Sequence, residues 1–411
     1  MAVNHQAGSP FEAEWSRSVP RRRFLGGMGG LVAALAVPGC VSRVAREMAE
    51  GGVDGAHYAY VGCYSTLDRD GNGDGINVYR MDPVSGGWSH VQLVAGLENP
   101  SFLALDGSQR FLYSAHGDRT YATAFVIDPE SGRLTRLNQQ EVGGENPVHL
   151  AVDQTDRFLV VSNYSSGSLA VLPINTDGSL SPRSDLVELE GTPGPHPIRQ
   201  TSSNPHHNPF DPGGRFLVVP DLGLDRLFVF QLNTATGALV PADPPFVATR
   251  AGAGPRHVDF HPTRPYAYVI NELDSTVAAY RYNEDRGELS PLQVSSTLPS
   301  GFTGLNTCAE IRMHPGGTFL YGSNRGHNSI VIFSVDQRSG LVTPVGWEFT
   351  RGERPRYFGL NPTGTLLYAC NEGSDTVVTF RIDQETGELM STGQIVETGS
   401  PVTIVFKEGG I

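Results

Sequence analysis

The stretch "GAGPRHVDFHPTRPYAYVINEL", Gly252 to Leu273, sets two apolar–polar alternating runs around a Pro-containing turn. Alternation of that kind marks half-buried strands, and a short turn between two such strands makes a β-hairpin. The second run recurs as "RFLYSAH" (110–116), "RFLVVSN" (157–163), "RFLVVPD" (215–221), "TFLYGSN" (318–324) and "TLLYACN" (365–371). Each copy follows another apolar stretch, so the whole hairpin is repeated.

A different turn lies between the copies: "DPVSGGW" (82–88), "DPESGRL" (128–134), "NTDGSL" (175–180), "NTATGAL" (233–239), "NEDRGEL" (283–289), "DQRSGLV" (336–342) and "DQETGEL" (383–389). Measured from glycine to glycine, these seven turns are 46 to 59 residues apart. Asp or Asn, Ser or Thr, and Gly supply the tight turn of a second hairpin. Two hairpins give four strands per unit of about fifty residues, the pattern of a β-propeller. The expected fold is therefore all-β, a seven-bladed β-propeller over residues 58–408. Its last blade is split. "SPVTIVF" (400–406) matches the first strand of the repeated hairpin, and "HYAYVGCY" (57–64) matches the second. Pairing of these N- and C-terminal strands would close the ring and remove the free sheet edges.

The chain of 411 residues carries 49 glycines, 29 prolines and a net charge of -13. That charge disfavours nucleic acid and anionic lipid as partners. Lys407 is the sole lysine, so the cationic sites are arginines, which suit bidentate binding of carboxylate or phosphate. Residues 1–39 read as a leader. Arg21-Arg22-Arg23-Phe24-Leu25 matches the twin-arginine pattern, followed by an apolar run to Val37. "VPGC" at Val37 to Cys40 resembles a lipoprotein cleavage box, which would put a lipid tether on Cys40 and leave 40–57 as a linker. Cys63, Cys308 and Cys370 show no metal-binding spacing and read as buried thiols.

Repeats separate scaffold from function. With the blades aligned on Phe111, Phe158, Phe216, Tyr266, Phe319 and Leu366, the position five residues later is Asn or Asp in five of six copies, a turn device. Two positions diverge. One lies six residues after the anchor: Gly117, Tyr164, Leu222, Glu272, Arg325 and Glu372. The other lies ten before: Ser101, Val148, His206, Arg256, Ala309 and Arg356. Antiparallel pairing puts both at the same end of the hairpin. If this hairpin is the inner one, His206, Arg256, Glu272, Arg325, Arg356 and Glu372 gather around one mouth of the channel. Strict alternation turns His257 away from Arg256, and His261 belongs to a shared His-Pro turn.

The segments "PRHVDFHP", "AEIRMHPGGTFLYGSNRGHNSIVIF" and "FDPGGRFLVVPDLGLDRLFVF" resemble the propeller lactonase family, over nearly all of residues 58–408. Members include the propeller-type 6-phosphogluconolactonase and the 3-carboxymuconate cyclase. The resemblance implies a His, Arg, Glu, Arg quartet, which falls on His206, Arg256, Glu272 and Arg325. It also marks His207, because Asn204 replaces a histidine many members have, and Arg199 in "IRQ". It implies a carboxylic ester hydrolase acting on a small sugar or phosphosugar lactone, without a cofactor. A lactonizing cyclase and a non-catalytic binding platform are the alternatives.

Opening a lactone requires an activated water, a stabilised oxyanion and a proton for the leaving alkoxide. Glu272 or His206 is expected as base, with Arg256 and Arg325 on anionic oxygens and Arg356, Glu372, His207 and Arg199 as substrate contacts. "DRDGNGDG" (68–75) sets Asp68, Asp70 and Asn72 like half of a calcium loop, but Tyr79 stands where the loop's final Glu belongs, so an acidic turn is expected there.

Overall fold

The computed structural model describes residues 56–408 apart from 83–86. The leader, Cys40 and the linker as far as residue 55 lie outside the described residues, and Ala56 and His57 already belong to the first strand. Among the described residues, 27 strands form seven antiparallel sheets, six of four strands and one of three. No helix there is long and apolar enough to cross a membrane. Each sheet is one blade. The strands Pro100–Leu105, Pro147–Val152, Pro255–Phe260, Thr307–Met313, Pro355–Leu360 and Pro401–Glu408 are innermost and neighbour one another around the axis. The expected closure is present: Ala56–Cys63 pairs with Pro401–Glu408, with Tyr60 opposite Val405.

The three-stranded blade has an irregular inner segment. Residues 205–210 touch the neighbouring strand only through the bridges Pro205 to Asp221 and Phe210 to Leu217. Pro205 and Pro209 carry no N–H, which breaks the ladder there. The preceding loop explains the longest repeat, the 59 residues between Gly178 and Gly237.

The two repeated motifs hold each other. Gly132, Gly178, Gly237, Gly287, Gly340 and Gly387 of the outer turns have φ of 68–83°, the left-handed region that favours glycine. A Cβ on any of them would come within 2.1–2.6 Å of the ring of Tyr58, Phe111, Phe158, Phe216, Tyr266 or Phe319 respectively, each on the preceding blade. Hydroxyls add to this latch: Tyr60 donates to Gly132 O at 3.0 Å, Tyr113 to Gly178 O at 3.1 Å, Tyr268 to Gly340 O at 3.1 Å and Tyr321 to Gly387 O at 3.0 Å. The hydrophobic core is accordingly layered between blades, as where Tyr268 and Ile270 pack with Ile311, Leu320 and Phe333.

The Asn/Asp position works differently from expectation. Asp221 caps its own turn, accepting from Gly223 N and Leu224 N. The asparagines instead reach across the hairpin to a hydroxyl: Asn163 to Ser168, Asn271 to Thr276, Asn324 to Ser329 and Asn371 to Thr376. Cys63, Cys308 and Cys370 are free and buried.

Candidate active site

Six inner strands share one irregularity. The ladder shifts register between Pro100 and Phe102, Pro147 and His149, Pro255 and His257, Cys308 and Ile311, and Pro355 and Tyr357, and again where Pro401 and Thr403 meet Cys63 and Gly62. These are β-bulges, which bend a strand and re-aim the extra side chain. The bulged positions include Ser101, Val148, Arg256, Ala309, Arg356 and Val402, the divergent position ten residues before each anchor, extended to the split blade. In the irregular blade His206 occupies the equivalent place. Ser101, Val148, His206, Arg256, Arg356 and Val402 line one enclosed recess at the channel mouth.

The bulge corrects one expectation. His257 does not point away from Arg256. Its Nε2 lies 3.0 Å from Arg256 Nη1, and it lines the same recess. His261 does serve its turn, with Nδ1 accepting from Thr263 N and Arg264 N.

Glu272 is the hub of the mouth. Its Oε1 lies 2.7 Å from Arg199 Nη2, and its Oε2 lies 3.0 Å from both Arg256 Nε and Arg325 Nη2. The carboxylate is almost fully buried, at 2% exposure. Burial alone would favour the neutral acid, but Arg199, Arg325 and Arg256 outweigh it and hold the carboxyl well below the ordinary range. Glu272 therefore stays ionised at neutral pH, with both of its oxygens engaged by guanidinium groups. Burial and the neighbouring Arg356 and Arg325 charges press Arg256 down to about 9, so it stays cationic at neutral pH. Arg199 is partly buried, yet Glu272 and Tyr164 keep its pKa above the usual value.

His206 is the contrasting group. Burial, then the charge of Arg256, lowers its pKa well below the ordinary histidine value, so the ring is neutral. Its Nδ1 is buried and makes no hydrogen bond among the described residues. Tyr164 packs edge-on against the ring at 5.4 Å and reaches Arg199 Nη2 through its hydroxyl at 3.3 Å.

The remaining candidates separate. Arg356 lines the recess and lies over the Tyr64 ring at 5.1 Å. Glu372 is paired with Arg354 at 3.0 Å and is absent from the recess lining. His207 sits one layer deeper. It stacks on His257 at 4.2 Å and lines the opposite opening of the channel, a wider cavity of about 690 Å³ that also holds Arg312 and Asp259. Around 68–75, Asn72 donates to Asp375 and to no gathered acidic set. Among the described residues no group of three or more His, Cys, Asp or Glu side chains could hold a metal ion.

Sequence reasoning passed over Tyr64, Ser101 and His257. Tyr64 and Val402 follow from extending the alignment to the split blade. Ser101 stood in the divergent column but carries no charge to draw notice. His257 depended on the bulge.

A family model for "Lactonase, 7-bladed beta-propeller" matches residues 58–406. The chain belongs to that family. A 6-phosphogluconolactonase of Bacillus subtilis is 38% identical over 303 residues, covering 73% of this chain and 84% of the relative. One from Formosa agariphila is 34% identical, covering 70% and 83%. Among solved structures, a periplasmic gluconolactonase of Pseudomonas aeruginosa superposes with a TM-score of 0.79 at 34% identity, over 86% of this chain and 99% of the other. The fold, the lactone-hydrolysing function and the carboxylic ester hydrolase class read from the sequence stand at family level.

Proposed function

We propose that this lactonase opens a sugar lactone at the His206 mouth, with His206 as the base. The observation that carries the reading is the contrast between Glu272, locked by three guanidinium groups, and His206, neutral with an unpartnered Nδ1. Ser101 Oγ is likewise buried without a partner, and both residues line the recess. The recess has about 10 Å³ of room, the size of one water molecule, and polar groups to hold it.

In the reaction, a water held by His206 and Ser101 attacks the lactone carbonyl carbon while its proton passes to His206. The carbonyl π electrons move to oxygen. Arg256 and Arg325 stabilise that oxyanion, their charge only partly offset by the single Glu272 they share with Arg199. Collapse breaks the ring C–O bond, and the departing alkoxide takes the proton back from His206. The product is a hydroxy acid, which ionises in solvent. The twin-arginine leader and the periplasmic relative support an exported enzyme that takes the unphosphorylated lactone.

The purified chain is assayed on gluconolactone and 6-phosphogluconolactone against spontaneous opening. Gluconolactone is expected to be hydrolysed with the higher kcat/KM. His206→Ala is expected to lower kcat by about 10²–10⁴-fold with an unchanged melting temperature. A wild-type rate in that variant removes His206 as base.

A further inference from the structure

We propose that His257 and Glu310 are positioning residues that fix the Arg256 guanidinium from the neighbouring blade. The inference rests on Arg256 acting as described above. The Nε edge of Arg256 faces Glu272, but Glu272 Oε2 is shared with Arg325 at the same 3.0 Å. A shared carboxylate leaves the guanidinium free to pivot about that contact. Its Nη1 end is held separately, donating to Ala309 O at 2.6 Å and to His257 Nε2 at 3.0 Å.

A guanidinium only donates, so His257 Nε2 must accept. The His257 proton is then on Nδ1, which lies 3.0 Å from Glu310 Oε1 and donates to it. The opposite tautomer would set N–H against N–H at Arg256. Glu310 thus selects the ring form that Arg256 needs, as a carboxylate behind a histidine does in metal sites. The ring plane is clamped as well, stacked on His207 at 4.2 Å and 10°.

Both partners come from one chain irregularity. Ala309 and Glu310 occupy the bulge between Cys308 and Ile311 of the next inner strand. Glu310 is fully buried, with Arg312 at 3.5 Å as its counter-charge and Ile311 N donating to it at 3.1 Å. Arg256 therefore spans a blade boundary, with Glu272 on its own blade and the Ala309–Glu310 bulge on the next.

The test compares His257→Phe, His257→Gln, Glu310→Gln and Arg256→Ala, with the double variant of His257→Phe and Arg256→Ala, by steady-state lactone hydrolysis. His257→Phe keeps the stack but loses the acceptor. It is expected to lower kcat about 10–100-fold with KM changed less than threefold. His257→Gln retains an accepting oxygen and should recover most of that loss. Glu310→Gln still accepts from Nδ1 and should remain within about tenfold of wild type. The double variant should be no slower than Arg256→Ala alone, because His257 acts through Arg256. A wild-type kcat in His257→Phe, or losses that multiply in the double variant, would overturn the proposal. Should His257→Phe fail to fold, a His257→Gln rate as low as that of Arg256→Ala would overturn it equally. Full activity in Arg256→Ala would instead remove the reading of the mouth on which it rests.

Discussion

The outer turns and the channel mouth are built from the same seven-fold repeat and use it in opposite ways. At the outer rim, a left-handed glycine meets an aromatic ring of the preceding blade in six described turns. At the mouth, the equivalent bulged positions are Ser101, Val148, His206, Arg256, Ala309, Arg356 and Val402, no two neighbours alike. The rim needs identical contacts because it joins identical blades. At the mouth, six of these seven side chains line one recess, and in the proposed reaction they meet a single asymmetric lactone, so they have to differ. Uniform positions should then govern stability, and variable ones should govern turnover.

Glu272 breaks that division, and its variant should show the largest effect. It is a mouth residue, yet it neutralises the buried Arg256 and Arg325 and the partly buried Arg199. Glu272→Gln leaves those guanidinium groups without their carboxylate, so it should cost about 3–5 kcal/mol of stability as well as turnover. Chemical denaturation beside lactone hydrolysis measures both. Loss of turnover at wild-type stability would mean that Glu272 acts in the chemistry rather than as the anchor of the arginines.

The rim should behave in the reverse way, with a smaller effect. Gly340 has φ of 72°, and an added Cβ would lie 2.4 Å from the Tyr266 ring. Gly340→Ala combines a left-handed alanine, about 1 kcal/mol, with overpacking of about 1–3 kcal/mol. The unfolding midpoint should fall accordingly, while kcat per folded molecule stays at the wild-type value. A fall in kcat would show that blade spacing is transmitted to the mouth.

Much of this division was legible in the sequence because a repeat supplies its own internal comparison. The turn signature gave the blade count, and the split "HYAYVGCY" and "SPVTIVF" gave the closure. Divergence between blades selected Arg256, Glu272, Arg325 and His206, which the structure brings to one mouth. What stayed hidden depends on one-residue irregularities. Alternation predicts that consecutive residues face opposite ways, and a bulge between Pro255 and His257 defeats it, with only the recurring proline before the bulge to mark the place. The division of labour between Glu272 and His206 was hidden as well. It depends on how many guanidinium groups reach the carboxylate, and one of them, Arg199, arrives from the loop before the irregular blade. Glu372 matches Glu272 in sequence position, yet it meets Arg354 instead.

The smallest effect concerns the protonation of the mouth itself. Burial, foremost, keeps His206, His207 and His257 neutral with pKa values well below 6.5, and takes His149 down to about 3. In the unfolded chain these rings titrate near 6.5. Below that pH the unfolded state binds more protons than the native one, so stability rises with pH through this window and is lost as pH falls. Each ring contributes a slope of about 1.4 kcal/mol per pH unit once the pH is well under 6.5. Glu310 and Asp259 work the other way, because burial raises their pKa values, but their window lies near and above the ordinary carboxyl range of about 4. Five buried histidines, His116 among them at about 4, oppose the three raised carboxyls Glu310, Asp259 and Asp221, so between pH 6 and 5 the unfolding free energy should drop. His206→Asn removes one of these rings without adding a titrating group. Its stability should fall less steeply with acid than that of wild type, by about one proton, or about 1.4 kcal/mol per pH unit. Denaturant titrations at several pH values read that slope directly. An unchanged slope would mean that His206 takes up its proton in the folded mouth over the same pH range as in the unfolded chain, so that burial does not hold the ring neutral in acid.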